Sequence, residues 1–597
     1  MKKTTLFLVI FAAVIFVGYR LYGPALIQAV YEGKSIWFLN SMIEGQKTWP
    51  LTAYRETGDA MMFSFAGTAL IGFFLVKFLR SRQGRDERWC WRIAGALVFL
   101  IVSAAYFRPS FGENELVYLI NPKRLMNPAF LANDWTWQKE PLGHFIFDLV
   151  TSPLTLVLSD LKLALIGRLL AWTLLIGSLI RLARTLQLKR WGFALGFAFW
   201  FYAGQSLAAE EWIFGGVEAK CFSYVFLLGA LKNVLEENLK RAAVFSGLAI
   251  SFHALVGGWG ALGLFASLFG WGRSLNLRKV LIFCGVTVLC GLPGVVSAGF
   301  NLFHGGAMSE ESYAIDVFFR GPHHMDPYSF LSSARLLEMS AYGLLTVLIL
   351  WQVFKRRQAL ILLLFLAAET GIFAAGVLAR QFHLLSFLYL YPFRLAPLFL
   401  LLFFSLGLVR FLDMSFRSQR LPLKMAAVVV SLFALFQVWN HRMPKVLLNS
   451  AADTVMAWKR YFSEARQDDF SRLAEWIRGH TPPDRVFAAP PWEYRFWLFA
   501  QRAQVVNFKG IPTNAGNQEW LSRLADLNNG LPFQGKGSSV LEELKKNYPE
   551  LDLSRLQKMR AEYGASYYLT VKERRDLPLP LLYSNPSYYL YDLGSSP

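Results

Sequence analysis

Long apolar runs constrain the fold of this 597-residue chain more than any other feature of its sequence. Stretches of about 18 or more residues with few charges recur through the first three quarters, and each is long enough to cross a bilayer. Hydrophobic residues make up 54% of the chain and charged residues only 17%, compared with about 25% charged residues in ordinary soluble proteins. The sequence therefore predicts an α-helical polytopic membrane protein.

The distribution of charge predicts how the chain is oriented. Basic residues, which give a net charge of +20, cluster in short loops between apolar runs, such as 77–92 and 181–190. The positive-inside rule places such loops in the cytoplasm. We expect a multi-pass protein of the bacterial cytoplasmic (inner) membrane, with its N-terminus inside and its C-terminal domain outside. No basic face with interleaved stacking aromatics occurs in the polar part, so we expect no nucleic-acid partner.

The apolar runs predict about 13 transmembrane helices, near residues 4–22, 60–79, 91–107, 162–182, 191–206, 217–231, 241–254, 257–270, 279–298, 335–354, 359–379, 386–409 and 425–441. Residues 144–162 are not counted, because a span there would place the basic loop 181–190 outside. We expect these residues to form an amphipathic helix on the outer face, interrupted at Pro153.

The same pattern divides the chain into three regions. Residues 1–90 are predicted as an N-terminal two-helix membrane extension, and 91–445 as a transmembrane domain with external loops at 108–161 and 300–333. Beyond the last apolar run the sequence becomes polar and alternates helical with strand-like segments, so 446–597 is predicted as an extracytoplasmic α/β domain. Helices are predicted near 470–480, 517–528 and 552–564, the last of them closed by Gly564. All four cysteines lie in or beside apolar runs, a pattern that argues against a disulfide framework.

The stretch 112–137 places three carboxylates among aromatic residues, directly after an apolar run. Carboxylates this close to a membrane face are costly, so they indicate a functional site more often than chance would. A sugar transfer with inversion needs a carboxylate that takes or orients the acceptor's proton, and a second carboxylate can hold a divalent cation. We predict Glu115 as the first catalytic candidate, followed by Glu113 and Asp134. For each acid alone, simple solvation of a loop is the alternative.

The motif Glu113-Asn-Glu115-Leu-Val-Tyr118 resembles the acidic opening of the first external loop in the GT-C membrane glycosyltransferases. That superfamily often has adjacent Asp and Glu where this chain has Glu-Asn-Glu, so the resemblance does not choose between the two glutamates. Three further segments are similar to its motifs: 140–144, 182–186 and 246–253. The resemblance implies a GT-C-like transmembrane domain and a polyprenyl-phosphate-linked sugar as the donor, and it leaves the acceptor unknown.

Charged residues at the start of another apolar run add to the predicted site. Glu218 and Lys220 open the run near 217–231, where an unpaired charge is expensive. Either they pair with each other or with neighbouring residues in a structural role, or one of them binds a ligand: Lys220 a lipid phosphate, or Glu218 a metal. The preceding Gly215 and Gly216 would let the backbone approach a ligand. Tyr118, from the acidic motif, is also predicted to contact substrate.

Arg380 and Arg394 lie at the outer ends of two further runs. A guanidinium offers bidentate donors to phosphate and would stabilise the charge that develops on a phosphate leaving group. The alternative is that both arginines snorkel to lipid head groups. His253 lies at the outer end of its run and is predicted to assist, although a lone histidine is more often a satisfied core residue.

No cofactor can be named from the sequence, but a divalent cation is one candidate. His323, His324 and Asp326 in the second external loop are of the residue types that bind such an ion, although no further ligand is spaced to complete the set.

Together these features predict a hexosyl- or pentosyltransferase that moves a sugar from a polyprenyl-phosphate donor to an extracytoplasmic acceptor, with membrane lipids as its other partners. Two alternatives remain, a non-catalytic membrane scaffold and a lipid-linked-sugar flippase or transporter. A transporter should show matching halves, and the sequence shows none.

Overall fold

The structure is a computed structural model that describes residues 87–139, 143–304, 306–398, 400–441, 454, 458 and 468–594. The predicted spans near 4–22 and 60–79, with nearly all of the predicted extension 1–90, lie outside the described residues. The described fold therefore begins with the third predicted span.

Long apolar helices form the membrane part: Glu87–Tyr106, Asp160–Thr185, Arg190–Tyr202, Ala219–Leu235, Leu239–Phe252, Ala254–Leu268, Leu277–His304, Ser333–Val353, Arg356–Gln381, Leu400–Arg417 and Leu421–His441. Among the described residues, 6 helical stretches are long and apolar enough to cross a membrane: Glu87–Tyr106, Asp160–Thr185, Ala254–Ser274, Leu277–His304, Ser333–Val353 and Arg356–Gln381. The prediction of a helix-rich polytopic membrane protein is confirmed, whereas the total of about 13 spans stays a prediction.

Close crossings hold neighbouring membrane helices together. A Cβ atom at Gly294 would lie 2.1 Å from the carbonyl oxygen of Ile250, so only glycine allows this approach of two helices. At the same crossing the Ser251 hydroxyl donates to the Cys290 carbonyl at 2.6 Å. Within a bilayer, helices associate through close packing and interhelical hydrogen bonds because lipid tails are as apolar as the side chains. These contacts therefore fix the position of the helix Leu239–Phe252 against the helix Leu277–His304.

Both predicted external loops fold into short helices. The first contains Glu113–Tyr118, Ile120–Met126, Trp135–Lys139, Phe145–Thr151 and the 3-10 turn Ser152–Leu156. The second contains Glu310–Ala314, the π-helical turn Ile315–Arg320, Pro322–Met325 and Pro327–Phe330. The predicted helix over 144–162 is present in two parts, and Pro153 lies in the first turn of the second part, where its missing N–H group is not needed.

The prediction of one continuous span near 386–409 is wrong. The chain forms only a four-residue helix there, Leu385–Leu388, then turns through residues 389–398 before the helix Leu400–Arg417 begins. Pro392 and Pro397 explain the interruption, because proline lacks the helix N–H donor and disfavours helical geometry in the preceding residue. We call residues 389–398 the proline segment.

The C-terminal region is an α/β domain, as predicted. Its strands are β1 (Val486–Ala488), β2 (Ala503–Gln504), β3 (Ala565–Thr570), β4 (Leu581–Ser584) and β5 (Tyr589–Asp592), in the sheet order β2-β1-β3-β5-β4. Strand β1 runs parallel to β2 and β3, whereas β5 is antiparallel to β3 and β4. Every residue of the central strand β3 is buried, as expected for a strand covered on both faces.

Five helices accompany this sheet: Asp469–His480, Phe496–Phe499, Gly516–Leu527, Val540–Asn547 and Leu553–Tyr563. The last of these ends at Gly564, whose φ of 69° is the left-handed conformation that glycine adopts at helix C-termini. The sequence predicted this ending and the helices near 470–480 and 517–528, but not the helix Val540–Asn547.

Asp134 links the segment that contains the helix Trp135–Lys139 to the α/β domain through hydrogen bonds. Its carboxylate is fully buried and accepts hydrogen bonds from the Trp497 indole at 2.7 Å, the Gln504 amide at 3.0 Å and the Thr136 amide at 3.1 Å. Burial raises the pKa of Asp134 to about 6, against the opposing effect of these donors. We therefore assign Asp134 a structural role at this interface and not the catalytic role that the sequence predicted.

Asp134→Asn should weaken the attachment of the α/β domain. Asparagine keeps one acceptor oxygen, but its amide hydrogens would face two buried donors, at a cost of about 1–3 kcal/mol for each donor left unsatisfied. Melting in detergent and the rate of proteolytic release of the C-terminal domain measure this loss. Folding raises the pKa of Asp134 to about 6. The contribution of this group to the free energy of unfolding is therefore greatest below about pH 4 and falls as pH rises through 6. The variant should lack this dependence of stability on pH.

The matched control is Asp160→Asn. This carboxylate forms a partly exposed ion pair with Lys123 at 2.9 Å, and such pairs contribute less than about 1 kcal/mol. Equal stability of the two variants would contradict the role assigned to Asp134.

Candidate functional site

The helix Glu113–Tyr118, which we call the acidic helix, holds Glu115 inside the protein. Glu115 is 0% exposed. Its carboxylate accepts bonds from Arg168 through Nε at 2.6 Å and through Nη2. It also accepts from the backbone N–H groups of Gly112 at 2.6 Å and Val217 at 2.7 Å. Because protein donors engage both oxygens, we assign Glu115 a positioning role in place of the catalytic one predicted from the sequence.

Residues 203–218, which we call the glycine loop, pack directly on the acidic helix. A Cβ atom at Gly216 would lie 2.9 Å from the carboxyl carbon of Glu115, so glycine is required at this contact. The neighbouring Gly215 carbonyl accepts a hydrogen bond from the Trp172 indole at 3.0 Å. The two glycines therefore bring the backbone close to side chains of the protein itself. The sequence had suggested that they would let the backbone approach a ligand. Their effect is to join two motifs that are distant in sequence.

Four charged side chains from the glycine loop, the next helix and the proline segment form what we call the ion cluster. Lys220 Nζ lies 3.6 Å from Glu211 and 3.3 Å from Glu218. Arg394 pairs with the other oxygen of Glu211. Burial opposes ionisation of Glu211, but the charges of Arg394 and Lys220 outweigh it and lower its pKa to about 2. The structural pairing considered for Glu218 and Lys220 is thus present, within a larger network.

The ion cluster has unused hydrogen-bonding capacity. Arg394 Nε and Glu211 Oε2 are buried, and neither has a hydrogen-bond partner among the described residues. Three nearby non-glycine residues also have left-handed backbones: Ala209 (φ 59°), Glu210 (φ 50°) and Tyr391 (φ 52°). Such conformations cost on the order of 1–3 kcal/mol each and concentrate at functional sites. Because buried polar atoms are normally satisfied, this cluster is a candidate for binding a polar ligand.

A stack of rings borders the ion cluster. The ring centroids of Tyr118 and His144 are 5.2 Å apart, and those of His144 and His253 are 4.7 Å apart. Burial, and then the charge of Arg394, lowers the pKa of His144 to about 4, so this ring is neutral at pH 7. His253 Nδ1 also accepts the Val256 amide at 3.3 Å, which caps the following helix. His253 therefore has the structural role considered as its alternative, while lying beside the site.

Arg380 has partners other than the residues of the ion cluster. Its guanidinium pairs with Asp326 at 2.9 Å and lies over two aromatic rings. The suggested metal ligands have other partners, because Asp326 pairs with Arg380. His324 Nδ1 contacts the Ala209 carbonyl at 2.7 Å and lies 3.5 Å from Glu211 of the ion cluster. Among the described residues, no group of three or more His, Cys, Asp or Glu side chains is arranged to hold a metal ion.

The α/β domain contributes a cation to the site. Lys509 Nζ lies 3.3 Å from Glu113 and donates to the Asn114 side chain at 2.9 Å. Asn114 in turn donates to Glu218 at 2.8 Å, so polar contacts run without a break from the α/β domain to the ion cluster. The side chain of Glu113 is 66% exposed. Of the two glutamates in the acidic motif, Glu113 is therefore the one that a substrate can reach.

The structure brings together six of the predicted site residues, Glu113, Tyr118, Glu218, Lys220, His253 and Arg394. The sequence also placed Glu211 in the same charged stretch as Glu218 and Lys220, without assigning it a role. Sequence reasoning missed Arg168 and Lys509, and it gave His144 no part in the site. Arg168 had a signal, because it is a charged residue inside the apolar run 162–182. Lys509 had none, since 395 positions separate it from its partner Asn114.

Comparisons with known proteins match parts of this description. A family model described as "Domain of unknown function (DUF6798)" matches residues 468–527, within the α/β domain. No curated protein matches the chain. ArnT from Cupriavidus metallidurans, solved bound to undecaprenyl phosphate, is similar at 12% sequence identity and a TM-score of 0.40, over 85% of this chain and 99% of ArnT.

Glu115→Gln should destabilise the fold. The substitution leaves the buried Arg168 without its compensating charge, a change that typically costs about 3–5 kcal/mol. Folded yield and melting temperature in detergent measure the effect. Glu113→Gln is the matched control and should change stability by less than about 0.5 kcal/mol, because its side chain is exposed.

A double variant with Glu115→Gln and Arg168→Gln removes both charges and should recover part of the lost stability. If Glu115→Gln melted at the same temperature as Glu113→Gln, the positioning role of Glu115 would be wrong.

Proposed function

We propose that the protein is a membrane glycosyltransferase that moves a sugar from a polyprenyl-phosphate-linked donor to an extracytoplasmic acceptor. The convergence of the acidic helix, the glycine loop and the proline segment on one ion cluster carries this proposal. It sets an exposed carboxylate, Glu113, near buried cations, Lys220 and Arg394. A sugar transfer from a phosphate needs both kinds of group, one for the acceptor proton and one for the phosphate charge.

Arg394 and Lys220 bind the phosphate of the donor in this proposal. A guanidinium presents donors in the geometry that phosphate oxygens accept, and the Nε donor of Arg394 is unused among the described residues. Both cations now contact Glu211. An incoming phosphate therefore competes with this carboxylate for its partners. When the glycosidic bond breaks, the same cations stabilise the charge that develops on the phosphate.

Glu113 acts as the base. It takes the proton of the acceptor hydroxyl while the acceptor oxygen attacks the anomeric carbon of the sugar. The bond from that carbon to the phosphate oxygen breaks, and the polyprenyl phosphate leaves with the electron pair. Lys509, at 3.3 Å, orients the carboxylate from the side of the α/β domain. The stack that includes Tyr118 and His253 borders the sugar, and its neutral members do not compete with the cations for phosphate.

Binding of undecaprenyl phosphate tests the phosphate site. Arg394→Ala alone would leave Glu211 buried and unpaired, so the informative protein is the double variant with Glu211→Gln and Arg394→Gln, in which neither charge remains. We expect its affinity to fall by roughly tenfold or more, since charged hydrogen bonds contribute about 1.5–3 kcal/mol. Glu211→Gln alone should keep or increase the affinity, because it releases Arg394. Titration of the full-length protein in nanodiscs measures these affinities.

Arg380→Gln is the control for this experiment. It removes the same type of charge from an arginine that is paired with Asp326 and not with a residue of the ion cluster, and should leave affinity nearly unchanged. Undiminished binding by the double variant, or an equal loss in Arg380→Gln, would contradict the proposed phosphate site.

Glu113→Gln should lower the rate of sugar transfer by about a hundredfold or more, because loss of a general base typically costs 10²–10⁴-fold. Lipid-phosphate binding and thermal stability should be retained. The assay follows consumption of the radiolabelled polyprenyl-phosphate sugar that the wild type accepts. Glu310→Gln, a change at another exposed outer carboxylate, should leave the rate unaltered. Full activity in Glu113→Gln would show that another group takes the proton.

A further inference from the structure

A cavity of about 560 Å³ opens at the opposite end of the membrane helices from the ion cluster. It lies between the first turn of the helix Glu87–Tyr106 and the last turn of Asp160–Thr185, both long enough to cross a membrane. The cavity is therefore at the level where a bilayer meets water. Trp91 and Leu188, both buried, give it an apolar floor.

Two cations in this cavity have no side-chain partner among the described residues. The exposed side chains of Arg181 and Arg184 line it, and within the described part of the chain neither guanidinium makes a hydrogen bond or an ion pair. Lys232, also in the lining, is by contrast paired with Glu236. Two free guanidinium groups one helical turn apart can engage the same anion from two sides.

The position of the cavity indicates the kind of anion. Trp89, 53% exposed, lies at the same helix end, and tryptophan is enriched where acyl chains meet head groups. Basic pockets between membrane helices on the cytoplasmic side are suited to the head groups of anionic lipids.

We propose that this cavity binds the phosphodiester head group of an anionic phospholipid of the surrounding leaflet, with Arg181 and Arg184 contacting the phosphate and the apolar floor meeting the glycerol and upper acyl chains. This site is separate from the ion cluster and does not depend on the proposed transfer reaction. Its lipid is a resident of the membrane and not the sugar donor.

The test uses full-length protein in nanodiscs of phosphatidylcholine, with and without phosphatidylglycerol, and counts retained lipids by native mass spectrometry. The variant carries Arg181→Gln and Arg184→Gln. Each basic residue near a membrane surface contributes about fivefold in affinity, so the pair should lower retention of phosphatidylglycerol by roughly 30-fold. The lysine pair, Arg181→Lys with Arg184→Lys, should restore part of it.

The control removes two other exposed cations, with Lys355→Gln and Arg356→Gln, which lie at the start of the helix Arg356–Gln381 and not in this cavity. An equal loss in both variants would mean general attraction to a charged surface and would overturn the site. Equal retention of phosphatidylcholine and phosphatidylglycerol by the wild type would also overturn the site. Binding of soluble glycerol 3-phosphate as tight as that of the lipid would assign a free anion and also overturn the proposal.

Discussion

The buried pair of Glu115 and Arg168 is the interaction on which the arrangement of the acidic helix and the glycine loop depends. Besides Glu115, Arg168 donates to the carbonyls of Arg108 at 2.8 Å and Ser110 at 2.6 Å. Glu115 in turn accepts the Val217 amide of the glycine loop. One ion pair thus joins the end of a span, the acidic helix, a second span and the loop that delivers the ion cluster. A buried pair offsets its desolvation cost only when such additional hydrogen bonds are made.

Glu113, Glu115 and Asp134 are similar carboxylates, and they differ in how deeply each is buried. Glu115 is enclosed by donors and positions the backbone, whereas Asp134 joins two domains. Glu113 is left exposed beside Lys509, where it can meet a substrate. Environment and not residue type sets what a carboxylate can do. Through Lys509 the α/β domain also contacts the acidic helix at this exposed carboxylate.

Apolar runs, loop charge and turn residues made much of the fold predictable. Run length predicted the membrane helices, and alternating polar segments predicted the α/β domain with its helix ending at Gly564. The prediction failed where hydropathy and proline conflicted, because Pro392 and Pro397 break an otherwise apolar run. In the site, the sequence identified Glu218, Lys220 and Arg394 because charges at membrane edges are expensive and therefore conspicuous.

The sequence by itself determined that the chain is a membrane protein and which charged residues needed partners. Only the tertiary structure decided which residues pair with them. Arg380 and Arg394 look alike in sequence, yet one pairs with Asp326 and the other with Glu211. The physical reason is that hydropathy and periodicity are local properties of the chain. The enclosure of a charge and the approach of a residue 395 positions away depend on how the helices pack.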